Sequence, residues 1–207
     1  EGFAADSIFR IASMTKPIVA AAVMVLIEDG RLTLDDPIGK WLPELAEPKV
    51  VRTPDSPVDD VVPARRPITV FDLLTSRAGY GFPDRFDQPA VQLLANELQR
   101  DGREVQRPPA PDEWMAKLAS IPLVHQPGEE WLYNTCSDLQ GVLIARVSGQ
   151  TLPDFLAERI FEPLGMVDTA FSVPAGKRDR MTDYYRGTEL VDGPDGLWSR
   201  EPAFPSG

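Results

Sequence analysis

The feature that most constrains this chain is a ten-residue apolar run, Ile18 to Ile27, entered through "RIASMTKP". A helix over that run is apolar on every side, and such a helix is stable only where it is buried all round. It belongs at the centre of a domain, with other segments packed against it. It falls well short of the roughly 20 residues that a membrane-crossing helix needs, so no membrane span is expected. Ser13 and Lys16 stand three apart at its mouth, and Pro17 follows at once. Proline is tolerated only in the first turn, which places the helix start near Ser13.

Twenty-one prolines punctuate the chain. Residues 47 to 67 carry five of them and read as a long surface excursion, and "QRPPAP" at 106 to 111 separates two helical patterns. Helical spacing recurs at Val91, Leu94, Ala95 and Leu98, at Trp114, Met115 and Leu118, and at Leu139, Val142, Leu143 and Val147. Thr151 reads as the N-cap of a further helix through Phe155, Leu156 and Ile160, stopping at Pro163 and Gly165. A short helix is expected over Thr69 to Ser76. Strand signals are thin: "SIFRI" near the start, "TAFSV" at 169 to 173 and "TELV" at 188 to 191. The pattern is α+β and mostly helical. At 207 residues and 43% hydrophobic content it suits one compact domain, residues 1–207.

A net charge of −11 repels phosphate backbones, so nucleic acid is not an expected partner. The single Cys136 allows no internal disulfide, and one cysteine with one histidine, His125, builds no zinc site. "DGPDG" at 192 to 196 is too short for a calcium loop and reads as a turn. Neither a metal nor an organic cofactor is expected. The chain opens with "EGFAADS", without a leader-like segment or an initiator methionine. A natural start upstream is therefore expected, which leaves cytoplasmic and periplasmic or secreted locations both open.

On a helix, positions i and i+3 share a face, so Ser13 and Lys16 project together at the positive end of the dipole. An alkoxide forming there gains roughly 0.3–1 kcal/mol from the dipole, and the serine's own N–H helps to hold an oxyanion. Burial would disfavour the charged form of Lys16 and let the amine accept or relay a proton, which a serine nucleophile needs. The alternative is that Ser13 caps the helix and Lys16 snorkels to solvent. Ten serines and five lysines give S-x-x-K about 0.2 times by chance, so the motif alone decides little.

"FRIASMTK" is joined by "LIEDGRLTLDDPIGKWLPEL", "ITVFDLLTSRAGYG", "QPGEEWLYNT", "LIARVSGQTLPDFLAERIFEPLGM" and "PAFPSG". Together these blocks resemble the serine beta-lactamase and penicillin-binding-protein superfamily, nearest to class C beta-lactamases and family VIII carboxylesterases. The resemblance implies an antiparallel sheet flanked by helices, of which this chain covers mainly the helical lobe. It implies Ser13 as nucleophile, Lys16 as its partner, and Tyr133 as the tyrosine that takes and returns the proton. The family's Y-x-N element reads "YNT" here, so either Asn134 or Thr135 is expected to hold the substrate carbonyl. The family's third motif, K-T-G or H-x-G, does not occur in these residues. The domain is thus expected to be incomplete at both ends, with a further segment or a second chain supplying the rest of the oxyanion hole.

Other readings are weaker. No G-x-S-x-G elbow exists, and His125, before a Pro-Gly turn, reads as structural. "CSDL" at 136 to 139 reads as a helix N-cap in preference to an S-D-N motif. Trp114, Trp131 and Trp198 read as core in preference to a cleft, and Cys136 as a buried small hydrophobe. The expected activity is acyl transfer on a small ester or lactam, esters first because of the altered "YNT". The competing expectation is a non-catalytic relative or fragment serving as a binding or assembly module.

Overall fold

The computed structural model describes residues 3–98 and 109–200. The central helix α1 spans Thr15–Glu28 and is entered through a 3₁₀ turn, Ala12–Met14. Val19, Ala22, Val23 and Leu26 are buried and pack largely on α5, Thr135–Ser148. A leucine buried as fully as Leu26 contributes about 2 kcal/mol. One stripe of α1 departs from expectation: Pro17, Ala21, Met24 and Glu28 are exposed, so the helix is not covered all round.

α5 carries Leu139, Val142, Leu143 and Ile144 into the core and ends at Gly149, whose φ of 76° is the left-handed cap that glycine takes without strain. α2 (Val70–Leu74) is capped by Thr69, and α3 (Pro89–Glu97) buries Ala90, Val91 and Leu94. α4 (Pro111–Ala119) buries Trp114, Met115 and Leu118, with Asp112 and Glu113 in its first turn, where the dipole favours them. α6 (Leu152–Leu156) has Thr151 as its N-cap, the hydroxyl accepting from Asp154 N at 3.2 Å, and runs on into a π-helical turn, Ala157–Phe161. These helices lie where the apolar spacing puts them.

The proline-rich stretch 47 to 67 is more than a surface excursion. It holds a hairpin of β1 (Lys49–Val51) and β2 (Val61–Pro63), paired antiparallel with Val50 opposite Val62. Val50 and Val51 are buried, and Val51 N donates to Leu123 O at 3.0 Å. The alternation is too short for its sequence pattern to announce it. β3 (Tyr184–Arg186) and β4 (Glu189–Asp192) form a second antiparallel pair where "TELV" is expected to be strand. "SIFRI" contributes only a single parallel bridge, Ile8 to Met181, and "TAFSV" is not a strand. Its backbone bends so that Phe171 packs on the core while Val173 N donates to Ser199 O. A last short helix, α7, spans Leu197–Arg200. Residues 106–108 of "QRPPAP" and all of "PAFPSG" lie outside the described residues. Among the described residues no helix is long and apolar enough to cross a membrane.

Candidate active site

Ser13 lies in the exposed 3₁₀ turn, and the next turn of chain brings Lys16 beside it: Lys16 Nζ donates to Ser13 Oγ at 3.0 Å. Lys16 is only half-buried, so the desolvation expected of its ammonium is not the organising feature. Ala12, just before the serine, has a φ of +44°.

Tyr133 reaches the same serine from 120 residues away. Its phenol donates to Ser13 Oγ at 2.9 Å, and Lys16 Nζ stands 4.8 Å from its ring centroid. Its backbone is held by a two-way bridge: Phe82 N donates to Tyr133 O at 2.9 Å and Tyr133 N to Phe82 O at 3.2 Å. Gly81 makes this approach possible. Its φ is +139°, and a Cβ there would stand 2.6 Å from Tyr133 O. That is the physical content of "RAGYG". Asn134 then turns the chain into α5 at φ 87°, ψ −71°, a rare γ-turn geometry. Left-handed conformations at non-glycine residues cost about 1–3 kcal/mol each and gather at functional sites. Here they flank the serine on one side and the tyrosine on the other.

The hydrogen bond to Ser13 is the largest influence on the Tyr133 phenol and lowers its pKa from 10. Burial opposes that shift, and the Lys16 charge reinforces it. An ammonium and a hydroxyl thus both favour the phenolate.

Asn134 and Thr135 are placed differently. Asn134 lines a cleft beside the three groups, together with Lys16, Leu74, Ser76, Trp131 and Gln140. Thr135 is fully buried in the first turn of α5. Trp131 is exposed on the rim, its ring 6.0 Å from that of Tyr133, and is not core as expected. Trp114 is core. The Trp198 side chain lies outside the described residues. "CSDL" is not a cap: Asn134 is the N-cap, without a side-chain capping bond, and Cys136 already lies inside the helix. Cys136 is buried, and burial pushes its thiol up to about 12. His125 sets its backbone carbonyl against Gly79.

Sequence reasoning missed Gln140, on the cleft wall, and Arg10, three positions before Ser13. Gln140 is buried, and its amide donates to Leu73 O at 2.8 Å, while its Oε1 has no hydrogen-bond partner among the described residues. A polar residue inside "LQGVLIA" was the available signal. Arg10 was readable only as part of "FRIAS".

The beta-lactamase family model matches residues 2–207. The chain is 40% identical over 183 residues to Protein Rv1367c of Mycobacterium tuberculosis (strain ATCC 25618 / H37Rv), covering 87% of this chain and 43% of that protein. It is 36% identical over 169 residues to the lovastatin esterase of Penicillium rubens, covering 80% and 40%. Among solved structures, EstCE1, "a hydrolase with promiscuous acyltransferase activity", superposes with a TM-score of 0.67 at 27% identity, over 96% of this chain and 50% of that one. The chain thus spans less than half the length of the curated relatives it matches. Its fold is that of the beta-lactamase and transpeptidase group, represented here mainly by helices. With the family model matched over almost its whole length, the chain belongs to the beta-lactamase family.

Proposed function

We propose that the protein is a serine hydrolase that cleaves small carboxylic esters through an acyl-enzyme on Ser13. The observation that carries this is the double contact on one oxygen: Ser13 Oγ receives Lys16 Nζ at 3.0 Å and Tyr133 Oη at 2.9 Å. A serine hydroxyl alone is a weak nucleophile, and a neighbouring base changes that. In its phenolate form Tyr133 takes the Ser13 proton as Oγ attacks the ester carbonyl. Lys16 keeps the phenolate populated by its charge. The tetrahedral oxyanion is held by backbone N–H groups, that of Ser13 among them. Tyr133 then returns the proton to the departing alkoxide, leaving the acyl group on Ser13. In the second half Tyr133 takes a proton from water, the hydroxide attacks the acyl carbonyl, and Ser13 leaves with that proton. Asn134, on the cleft wall, is the side chain proposed to steady the acyl carbonyl; Thr135, buried, holds the start of α5.

Esters come before lactams because "YNT" departs from the lactamase form and because a relative carries the name lovastatin esterase. The test is treatment of the full-length protein with a fluorophosphonate, followed by mass spectrometry and by p-nitrophenyl butyrate hydrolysis. An adduct on Ser13 is expected, with turnover lowered about a thousandfold or more in Ser13→Ala. No adduct and no turnover would overturn the reading and leave a non-catalytic binding module; near-normal turnover in Ser13→Ala would remove Ser13 as the nucleophile.

A further inference from the structure

We propose that Arg10 is a positioning residue for Ser13, acting through a buried clamp on Asp192; this rests on the serine-hydrolase reading above. The nucleophile turn has little packing of its own, since Ile11, Ala12, Ser13 and Met14 are all exposed. Ala12 nevertheless holds a left-handed φ of +44°. A non-glycine residue stays there only when its surroundings leave it no alternative. Downstream, α1 fixes the chain through buried Val19, Ala22 and Val23. Upstream, the anchors are Ile8 and Arg10.

Ile8 N donates to Arg180 O at 2.8 Å, and Ile8 O accepts from Thr182 N at 2.9 Å. Arg10 lies two residues from Ala12 and donates to four acceptors. They are Thr182 O, Asp192 Oδ2 at 2.8 Å, Gly193 O at 2.9 Å and Ser199 Oγ at 3.1 Å. The side chains of Arg10 and Asp192 are 13% and 4% exposed. In so dry a setting, charge-assisted bonds are strong and directional. The β3–β4 hairpin and α7, which bring no residue to the nucleophile, thus hold the extended segment that leads into it. Without the clamp Ala12 relaxes to negative φ and Ser13 Oγ leaves its place between Lys16 and Tyr133. A misplacement of about 1 Å is enough to cost on the order of a hundredfold in rate.

The experiment measures, in the full-length protein, the rate of Ser13 phosphonylation by a small fluorophosphonate, kcat and KM for p-nitrophenyl butyrate, and Tm. Arg10→Ala is expected to slow phosphonylation and kcat together by about a hundredfold, with KM changed less than about threefold. Adding Ala12→Gly to Arg10→Ala is expected to recover about fivefold or more, because glycine takes positive φ unaided. A merely structural loss would not respond in this way. Should Arg10→Ala fail to fold, Arg10→Lys and Asp192→Asn carry the test. Lysine is a point charge without the guanidinium fork, and each variant is expected to react about tenfold more slowly. Folded variants that react at the wild-type rate, or a loss in Arg10→Ala that Ala12→Gly leaves untouched, overturn the clamp alone. A wild-type protein with no adduct on Ser13 overturns the hydrolase reading instead.

Discussion

In the proposed reaction Tyr133 is the residue that moves the proton, and its pH behaviour is open to test. The Ser13 hydrogen bond, with the Lys16 charge behind it, holds the phenol below its usual 10 against the opposing effect of burial. Catalysis through the phenolate then makes kcat/KM rise with pH along a limb whose midpoint lies below 10. Lys16→Ala removes the supporting charge and should move that limb to higher pH. Tyr133→Phe should remove it and lower kcat by about 10²–10⁴. Because both partners act on one oxygen, the Lys16→Ala/Tyr133→Phe pair should lose far less than the product of the single losses. A multiplicative double loss, or a limb unmoved in Lys16→Ala, would mean that the two do not share the proton. Ser13 and Lys16 were legible because they stand three positions apart at a helix start, and Tyr133 only because ordered blocks resemble a family. Its neighbours were not legible. Nothing in "RAGYG" says that Gly81 lies against Tyr133 O, or that Arg10 faces an aspartate 182 positions on.

At the scale of elements, α2 matters because Ser76, on the cleft wall, follows directly from it. Thr69 and Asp72 form a capping box, and Arg66 adds a bidentate pair to Asp72 at 2.6 and 2.8 Å. The short helix was legible from "TVFD"; its partner Arg66, across Pro67, was not, since ion pairs leave no periodicity. The same blindness applied to β1 and β2, whose three-residue strands are too short to alternate visibly. Burial is the largest influence on the Asp72 carboxyl and raises its pKa, but Arg66 and Thr69 together outweigh it and hold it below 3.8. A depressed carboxyl contributes stability above its unfolded pKa of about 4 and loses it as pH falls through the folded value. Arg66→Met leaves only the Thr69 hydrogen bonds against burial, so the carboxyl's pKa rises and the stability it contributes at neutral pH shrinks. Arg66 is partly solvated, 43% exposed, so the loss at pH 7 should be about 2 kcal/mol, below the range for fully buried pairs. Urea unfolding of both proteins at pH 7 and pH 3 should show that gap shrinking in acid. A gap independent of pH would mean that Asp72 is not held ionised by Arg66.

For the molecule as a whole, the informative disagreement is α1. Its sequence asks for cover on every side, yet Pro17, Ala21 and Met24 face outward, with Met24 49% exposed. The chain spans 43% and 40% of the length of two curated relatives, and we propose that chain beyond the matched segment covers this stripe. The helical lobe was legible because helices announce themselves by local period. A large sheet was not, because the described strands form only two separate pairs. A single charge on the stripe tests whether α1 is central. In the isolated 207-residue chain, Met24→Glu places a carboxylate where the side chain already meets water, and should change stability by less than about 0.5 kcal/mol. In the full-length protein the same carboxylate would be driven under packed apolar surface without a partner, at a cost of about 1–3 kcal/mol or more. Urea unfolding of both forms measures the difference. An equally small effect in each would mean that the stripe stays wet, and that α1 lies at the edge of the domain.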